Sequence, residues 1–482
     1  MKISDLRVTH PSYDAMWLER VRDLFEGGQR MRKNAQRHLI RNDKEPEDVF
    51  RRRCNSSHYV NYCAPLGAFF AAFVGSSPVR LEGGDSGYWA EFEGDCDGRR
   101  ADFNTFLTKR ITEAMQTRIA WWRVVFPAPV VQPEVLADLR EQELDRAALV
   151  PLCAEQIIDW ERDDYGRFLW VREYDCRQRR LGAGKPPVTV ETWTEWHADG
   201  TAQRWQVAYE GDKAPSDSEM APEVPPPYNP ISRMPLVALE LPESLYLMGH
   251  MESPQTESFR KRAALSWAID RTCYAMPVMF LEDDRSPSQM GAGYYLKLGI
   301  KERMEWPAPP SAPFAVIDDY NVKLVQEMHR VASAMARGVD NNQAAAIGRS
   351  GESKQQDNEA TEIIVAEFGR LMREAAQETI DIVAEGASRG EAPTVAGYDN
   401  YTSMDSVVTI EQFIALDTVE LHSVTAKREI EKRAIRAFMP DLDPDKFADI
   451  DREVDENLTP EELDPQEPAG EPTMPEGTPA QT

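Results

Sequence analysis

The feature that most constrains the fold is a long helical pattern between Ser353 and about Glu385. Apolar residues recur in it every three or four positions, which places them on one face of an α-helix. The main ones are Ala360, Ile364, Phe368, Leu371, Ala375 and Ile382. Ser353 and Gln356 have the form of a capping box, and Gly386 is predicted to end the helix. Such a helix is roughly 50 Å long, so its apolar face must pack against several neighbouring elements or several copies of the chain.

The composition is that of an ordinary soluble chain with an acidic balance. The sequence has 482 residues, of which 41% are hydrophobic and 28% charged, and its net charge is −27. This length predicts roughly two to four domains. A protein that binds DNA phosphates tightly usually presents a basic face. The charge therefore argues against general nucleic-acid binding, but not against a wall that DNA slides past.

Cysteine usage and hydropathy predict an intracellular protein without a membrane span. The six cysteines are scattered and form no C-x-x-C pair, as expected of reduced thiols in the cytosol. The N-terminal residues lack the apolar core of a signal peptide. The most apolar run, Cys63 to Val74, is about a dozen residues long, whereas a membrane span needs about twenty.

Periodicity predicts helices and strands in the same chain. Helices are predicted at Ser12–Glu26, Asn61–Val74, Asp102–Trp122, Glu134–Ala148, Ser253–Met276, Asp319–Arg337, Thr409–Leu416 and Thr425–Phe438. Ser253 is expected to cap its helix, with Pro254 at the first helical position. The Gly-rich stretch Glu82–Gly98 is predicted to be a loop, and a short strand is predicted at Arg123–Phe126.

From Gln156 the apolar period changes to two, which predicts an antiparallel β-meander. Its strands are expected at Phe168–Tyr174, Val188–His197 and Thr201–Tyr209. Asp199-Gly200 has the composition of a hairpin turn. Three tryptophans are expected on one side of this sheet, namely Trp193, Trp196 and Trp205.

Three short motifs resemble parts of known catalytic or ligand-binding sites, but each lacks residues that such a site requires. Gly348–Lys354 resembles a phosphate-binding loop in composition, but the spacing of its glycines and lysine does not fit that motif, and a predicted helix, not a strand, precedes it. Gly84–Gly87 reads Gly-Asp-Ser-Gly, like the nucleophile loop of serine proteases, but no histidine sits in a supporting motif. Cys54, His58 and Cys63 offer three metal ligands, whereas a closed zinc site needs four. We therefore interpret Gly84–Gly87 as a Gly-rich turn, and Cys54 and Cys63 as buried thiols.

A basic stretch runs from Arg30 to Arg41 and again from Arg51 to Arg53. Two interpretations stay open for it. The first is the solvated surface of a helix. The second is a patch for nucleic acid or for an acidic partner subunit.

The order of elements, from about His10 to Asn457, resembles that of tailed-phage portal proteins. The resemblance is closest to a portal-like family, known as a domain of unknown function, from phage structural gene clusters. Each matching piece is short and their order carries the resemblance. The pieces are Gln156–Trp160, Phe168–Glu173, His197–Gly200, Pro235–Pro242, Ser253–Pro277, Gly299-Ile300, Met328–Gly338 and Ser350–Ser353. One departure is the segment Pro235–His250, which is shorter than the family pattern leads us to expect.

This resemblance implies an α+β, portal-like fold that assembles into a ring, a dodecamer, around a channel for double-stranded DNA. Its regions would be a wing at 1–252 with the β-meander around 156–210, a stem helix at 253–276, a clip at 277–318, a second stem helix at 319–337, a tunnel loop at 338–352, a long wing helix at 353–390, a crown with C-terminal helices at 391–457, and an acidic, disordered tail at 458–482. The DNA-facing residues of the tunnel loop would be Arg337, Asn341, Asn342, Gln343, Arg349 and Lys354.

The same resemblance implies a structural role, with no catalysis, no cofactor and no metal. The ring would sit at one vertex of the virion capsid, after assembly in the host cytoplasm, and DNA would be packaged and ejected through it. Its partners would be the large terminase subunit, a head-completion or adaptor protein, and the major capsid and scaffold proteins, without a membrane. Two alternatives remain: another ring-forming head-tail adaptor or virion structural protein, and a nucleotide-binding enzyme that uses the Gly348 loop.

Overall fold

The computed structural model describes residues 1–129, 138, 140, 142–180, 186–210, 217, 219–273, 278–280, 303–305, 312–335, 351–398, 428, 432 and 450–454. The chain divides into two compact units, Met1–Tyr401 and Thr402–Thr482. In the second unit the described residues 428, 432 and 450–454 are helical. The helix predicted at Thr409–Leu416 lies outside the described residues, as does most of the one predicted at Thr425–Phe438.

The first unit mixes helices with antiparallel sheets. The helices are α1 (Ile3–Leu6), α2 (Ala15–Glu26), α3 (Gly28–His38), α4 (Glu47–Ser56), α5 (Cys63–Gly75), α6 (Ser86–Gly94), α7 (Phe103–Thr117), α8 (Leu247–Cys273), α9 (Ala312–Met335) and α10 (Gly351–Gly386). The strands are β1 (Arg80–Glu82), β2 (Ile119–Val125), β3 (Ala148–Leu152), β4 (Ile157–Arg162), β5 (Phe168–Arg180), β6 (Pro187–His197), β7 (Ala202–Glu210), β8 (Leu236–Glu240), β9 (Val278–Phe280), β10 (Arg303–Glu305) and β11 (Thr394–Ala396). The predicted α+β class is confirmed. In the part of the chain that can be described, no helix is long and apolar enough to cross a membrane.

The long helix α10 occupies the centre of the core. It packs against α5, α7, β2, β8 and β11. Phe368 is 1% exposed and contacts the ring of Phe70 on α5, with the centroids 6.0 Å apart. The indole Nε1 of Trp122 on β2 donates a hydrogen bond to Thr379 Oγ1 at 3.0 Å, which joins α10 to the sheet. The apolar face of α10 after Ile364 is therefore covered by its own chain.

Two antiparallel sheets flank this core. One has the strand order β3-β2-β8 and the other the order β4-β5-β6-β7, which confirms the predicted meander. Gly200 takes a φ of +81° in the turn between β6 and β7, a conformation that glycine adopts without strain. Two shorter pairs, β1 with β11 and β9 with β10, are also antiparallel.

The tryptophans of the meander lie on opposite faces of the sheet, so their predicted common side is wrong. Trp193 and Trp205 pair across β6 and β7 and pack with Ile3 and Leu6 of α1. Trp196 packs on the other face, against a cluster that includes Trp121 of β2. The cause is the alternation of side chains along a strand, since residues three positions apart point to opposite faces.

Several predicted boundaries shift for identifiable local reasons. The predicted helix Asp102–Trp122 ends at Thr117, because Arg118 takes a φ of +73° and β2 begins at Ile119. Helix α6 occupies most of the stretch predicted to be a loop. The first predicted helix begins at Ala15 instead of Ser12, and the Asp14 carboxylate caps it by accepting from the backbone N–H of Trp17 at 2.9 Å.

The two predicted stem helices begin earlier than the sequence indicates. Helix α8 starts at Leu247, so Ser253 is not its N-cap and Pro254 lies inside the helix. Helix α9 starts at Ala312, seven residues before Asp319. Helix α10 starts at Gly351, which places Ser353 within the helix rather than at its cap. The predicted helix at Glu134–Ala148 is wrong in its second half: residues 142–145 form a turn, in which Glu143 takes a φ of +53°, and Ala148 begins β3. Residues 138 and 140 are helical, and 134–137, 139 and 141 lie outside the described residues.

We predict that Phe368→Ala lowers the free energy of unfolding of the first unit by about 3–5 kcal/mol, because it leaves a cavity between α10 and α5. Glu374→Ala, on the exposed side of the same helix, should cost less than about 0.5 kcal/mol. Urea unfolding followed by tryptophan fluorescence measures both values. Equal urea midpoints for the two variants would contradict the central position of Phe368.

Candidate functional site

The helix pair α8–α9 corresponds to the predicted stem, and its base is anchored in the core. Met248, Met251 and Phe259 of α8 are at most 2% exposed. The ring of Tyr59 meets Phe259 edge-on, with the centroids 5.5 Å apart. Residues Ala264 to Asp270 of α8, by contrast, are partly or fully exposed. The pair is therefore fixed at one end.

Polar contacts strengthen that anchor. Gln255, 1% exposed, donates to the carbonyl of Val60 at 2.8 Å, and its side-chain oxygen accepts from the backbone N–H of Tyr62 at 3.3 Å. The Arg260 guanidinium donates to the carbonyl of His38, at the end of α3, at 2.8 Å. These bonds satisfy buried polar groups and tie α8 to two separate parts of the core.

The corner between α2 and α3, next to this anchor, is organised by one buried carboxylate. Asp23 is completely buried and accepts hydrogen bonds from Arg30 at 2.9 Å, Asn34 at 2.8 Å and His38 at 3.2 Å. Burial lowers the pKa of His38 below its ordinary value, although the contact with Asp23 opposes this. All three partners come from α3, so the carboxylate fixes α3 against α2.

Helix α9 packs on α8 through one side only. Asn321, Leu324 and Met328, which share that side, are at most 6% exposed. The ammonium group of Lys261 on α8 lies 5.8 Å from the centroid of the Tyr320 ring. Neither the oxygen nor the nitrogen of the Asn321 amide has a hydrogen-bond partner among the described residues. A buried amide without partners weakens the packing between the two helices.

On either side of the face that packs on α8, helix α9 carries exposed apolar side chains. Val316 is 66% exposed and Tyr320 is 42% exposed, and these residues lie one turn apart on the same flank. Val322 is 50% exposed. It follows Tyr320 by two positions, so it points about 200° away around the helix axis and lies on the other flank. Asp319 is exposed and lies between the two flanks, about 60° from Val316 and from Val322 around the helix axis.

The predicted DNA-facing loop, Gly338–Glu352, joins α9 to α10. Five of its predicted contact residues lie outside the described residues: Arg337, Asn341, Asn342, Gln343 and Arg349. Lys354 is in the first turn of α10, and its side chain lies outside the described part of the structure. The predicted site therefore stays a prediction.

The basic stretch before α5 is largely neutralised by carboxylates of the same chain. Arg37 pairs with Glu19 at 2.6 Å, Arg41 with Glu47 at 2.8 Å and Arg53 with Glu45 at 2.8 Å. Arg30 is held by Asp23, and Arg52 pairs with Asp48. Arg32, Lys33 and Arg51 are exposed and pair with none of the described residues. This arrangement favours the solvated helix surface over a binding patch.

The other sequence motifs fall into structural settings. Most of Gly348–Lys354 is either outside the described residues or part of the first turn of α10. Ser86 begins α6, and Asp85 before it pairs with Arg389 at 2.9 Å. Within the described ranges, no three His, Cys, Asp or Glu side chains lie close enough together to hold a metal ion.

A cleft of about 450 Å³, which no sequence motif indicates, is lined by residues of α2, β2, β4 and β5. The rings of His10 and Trp160 stack in its wall with their centroids 4.2 Å apart. The Arg162 guanidinium lies 4.2 Å from the centroid of the Phe168 ring and pairs with Glu240 at 2.6 Å. These charged groups are thus engaged within the wall. The cleft residues are distant in sequence, so only the fold could bring them together.

Comparisons with known proteins give a weak structural likeness. No protein-family model matches the sequence, and no curated protein matches it significantly. One similar solved structure is described as "Neck of empty GTA particle computed with C6 symmetry". It is 10% identical with a TM-score of 0.43, and the match covers 81% of this chain and 95% of that chain. Another, "Virion of native gene transfer agent (GTA) particle", is 10% identical with a TM-score of 0.38, over 83% and 97% of the two chains. Likeness at this level does not establish a shared fold.

We predict a large difference in thiol reactivity at neutral to mildly alkaline pH. Burial raises the pKa of Cys63 to about 12 and that of Cys96 to about 12, so both should resist alkylation until the chain is unfolded. Cys176 is exposed and should react within minutes at pH 8. Mass spectrometry of peptides from a Cys273→Ser background measures the three rates, with Cys176→Ser as the control for the fast site. Rapid native labelling of Cys63 would contradict its burial.

Proposed function

We propose that this chain is the subunit of a tailed-phage-like portal, a ring at one capsid vertex through which double-stranded DNA is packaged and ejected. The observation that carries this proposal is the pair of exposed apolar flanks on α9. A subunit of a closed ring has a neighbour on each side, and a head-to-tail contact uses two different patches of the same chain. Val316 and Tyr320 on one flank and Val322 on the other supply two such patches.

The charge of the chain suits a channel through which DNA moves. A net charge of −27 repels phosphates, so DNA that passes through a ring of such subunits meets few strong attachments. The loop Gly338–Glu352 follows directly after α9, and Asn341, Asn342 and Gln343 offer weak contacts that do not depend on sequence. Arg337, Arg349 and Lys354 would touch the DNA backbone transiently.

In this proposal the role of the chain is structural. The ATP-driven motor is a separate terminase subunit, and a head-completion or adaptor protein later takes the place of the motor. The helix boundaries adjust the proposed regions. The stem helices become Leu247–Cys273 and Ala312–Met335, and the clip between them becomes residues 274–311, with β9 and β10 inside it.

A pair of charge-introducing variants tests the ring. We expect Val316→Asp and Val322→Asp each to block assembly while the monomer keeps its wild-type circular dichroism spectrum, because both side chains are exposed in the monomer. Each variant keeps one intact flank. An equimolar mixture should therefore give heterodimers but no rings. Asp319→Lys, a charge change midway between the flanks, should assemble as the wild type does.

Mass photometry of the wild type, the single variants and the mixture measures these outcomes. A wild-type chain that remains monomeric under all assembly conditions would overturn the proposal. Rings formed by either variant at the wild-type concentration would show that the flank it alters is not a subunit contact.

The DNA role has its own test. Replacement of Gly338–Glu352 by a Gly/Ser linker should leave ring formation intact and reduce DNA packaging or retention, because the loop would lose its contacts with the DNA backbone. The measurement is the mass of DNA protected from nuclease in assembled particles. Unchanged packaging and retention would refute DNA contact by this loop.

A further inference from the structure

The end of the β5–β6 hairpin carries a run of exposed arginines. Arg177, Arg179 and Arg180 fall within four residues of β5, and all three are exposed. Arg177 and Arg179 point to one face of the sheet and Arg180 to the other, so the three border the strand from both faces. Arg177 pairs with Asp175 at 2.6 Å. Arg179 and Arg180 form no ion pair with any residue that the structure describes, whereas many other arginines of this chain are paired. Two guanidinium groups therefore remain available to a partner.

The same segment is an open strand edge. The pairing of β4 with β5 extends only from Phe168 to Glu173. Beyond that point β5 pairs with β6 alone, up to Arg180 opposite Pro187. No described strand covers the outer edge from Asp175 to Arg180, which is roughly 20 Å long. Such edges commonly pair with or dock another chain unless charged side chains prevent it.

The charge of the whole chain indicates which partner this edge attracts. Acidic residues number 82 against 55 basic ones, so a second copy presents a predominantly negative surface to the arginines. Duplex DNA is a weaker candidate, because three arginines must act against the long-range repulsion of a net charge of −27. Like-charged subunits also repel one another, so a ring of them needs local contacts of opposite sign.

We propose that the basic end of the β5–β6 hairpin docks on an acidic surface of the neighbouring copy and forms part of the subunit contact. This inference rests on the proposed function, since it assigns a second contact to the same ring. The guanidinium groups of Arg179 and Arg180 bind carboxylates of the neighbour, Arg177 adds positive charge beside them, and the open edge of β5 lies along the neighbour's surface.

Charge reversal with a matched control tests the inference. The tip variant is Arg177→Glu/Arg179→Glu/Arg180→Glu, and the control is Arg32→Glu/Lys33→Glu/Arg51→Glu, which changes the net charge by the same amount at exposed positions elsewhere. We expect the tip variant to raise the protein concentration at the midpoint of ring assembly at least about tenfold, with the control within about twofold of the wild type. Wild-type assembly should weaken with added NaCl more steeply than that of the tip variant.

Mass photometry gives the assembly midpoints, circular dichroism verifies folding, and a gel-shift assay with duplex DNA runs in parallel. Equal midpoints for the tip variant and the control would overturn the inference and leave the proposed ring standing. A wild type that stays monomeric would overturn both. Loss of DNA binding in the tip variant with unchanged ring assembly would also overturn it, because the hairpin would then contact DNA instead of a neighbouring copy.

Discussion

The rest of the structure depends on the packing of one face of α10 against the sheet that contains β2 and β8. Val365, Phe368 and Met372 of that helix are almost fully buried, Phe368 against Phe70 of α5, and the Trp122–Thr379 hydrogen bond fixes the register of α10 on the sheet. Burial of this much apolar surface sets the position of α10 within the unit, and α5 and α7 are held by the same face.

Elements with a strong apolar periodicity were predicted correctly from the sequence. The predicted boundaries were wrong where the apolar residues of one element continue into the next. The long helix and the meander were recognisable because their apolar spacing is sustained over many residues. Trp121 and Trp122 continue the apolar run of α7, so the change from helix to strand at Arg118 was hidden. Pro254 resembled a first helical position, which concealed the preceding turns of α8.

The candidate contacts were only partly accessible to sequence reasoning. The tunnel loop was predicted from the resemblance to portal proteins, whereas the flanks of α9 were identified from the exposure of their side chains in the structure. From the sequence alone, Val316, Tyr320 and Val322 cannot be distinguished from the buried apolar residues of the same helix. Their exposure becomes clear only when the side of α9 that faces α8 is known. Similarly, the exposed arginines of β5 lie on an open edge only because β4 begins opposite Glu173 and does not reach them. Pairing and burial depend on residues distant in the chain, so local periodicity does not determine them.

The hydrogen bonds at the base of α8 have a mechanical consequence. Gln255 and Arg260 hold the helix to the core at its buried half, while Asn321 has no described partner in the packing of α9. The base therefore behaves as a fulcrum. A small tilt about this base displaces the exposed parts of the helix pair most and leaves the packing around Phe368 undisturbed. The strength of the contacts at the base therefore determines how far the two helices can tilt.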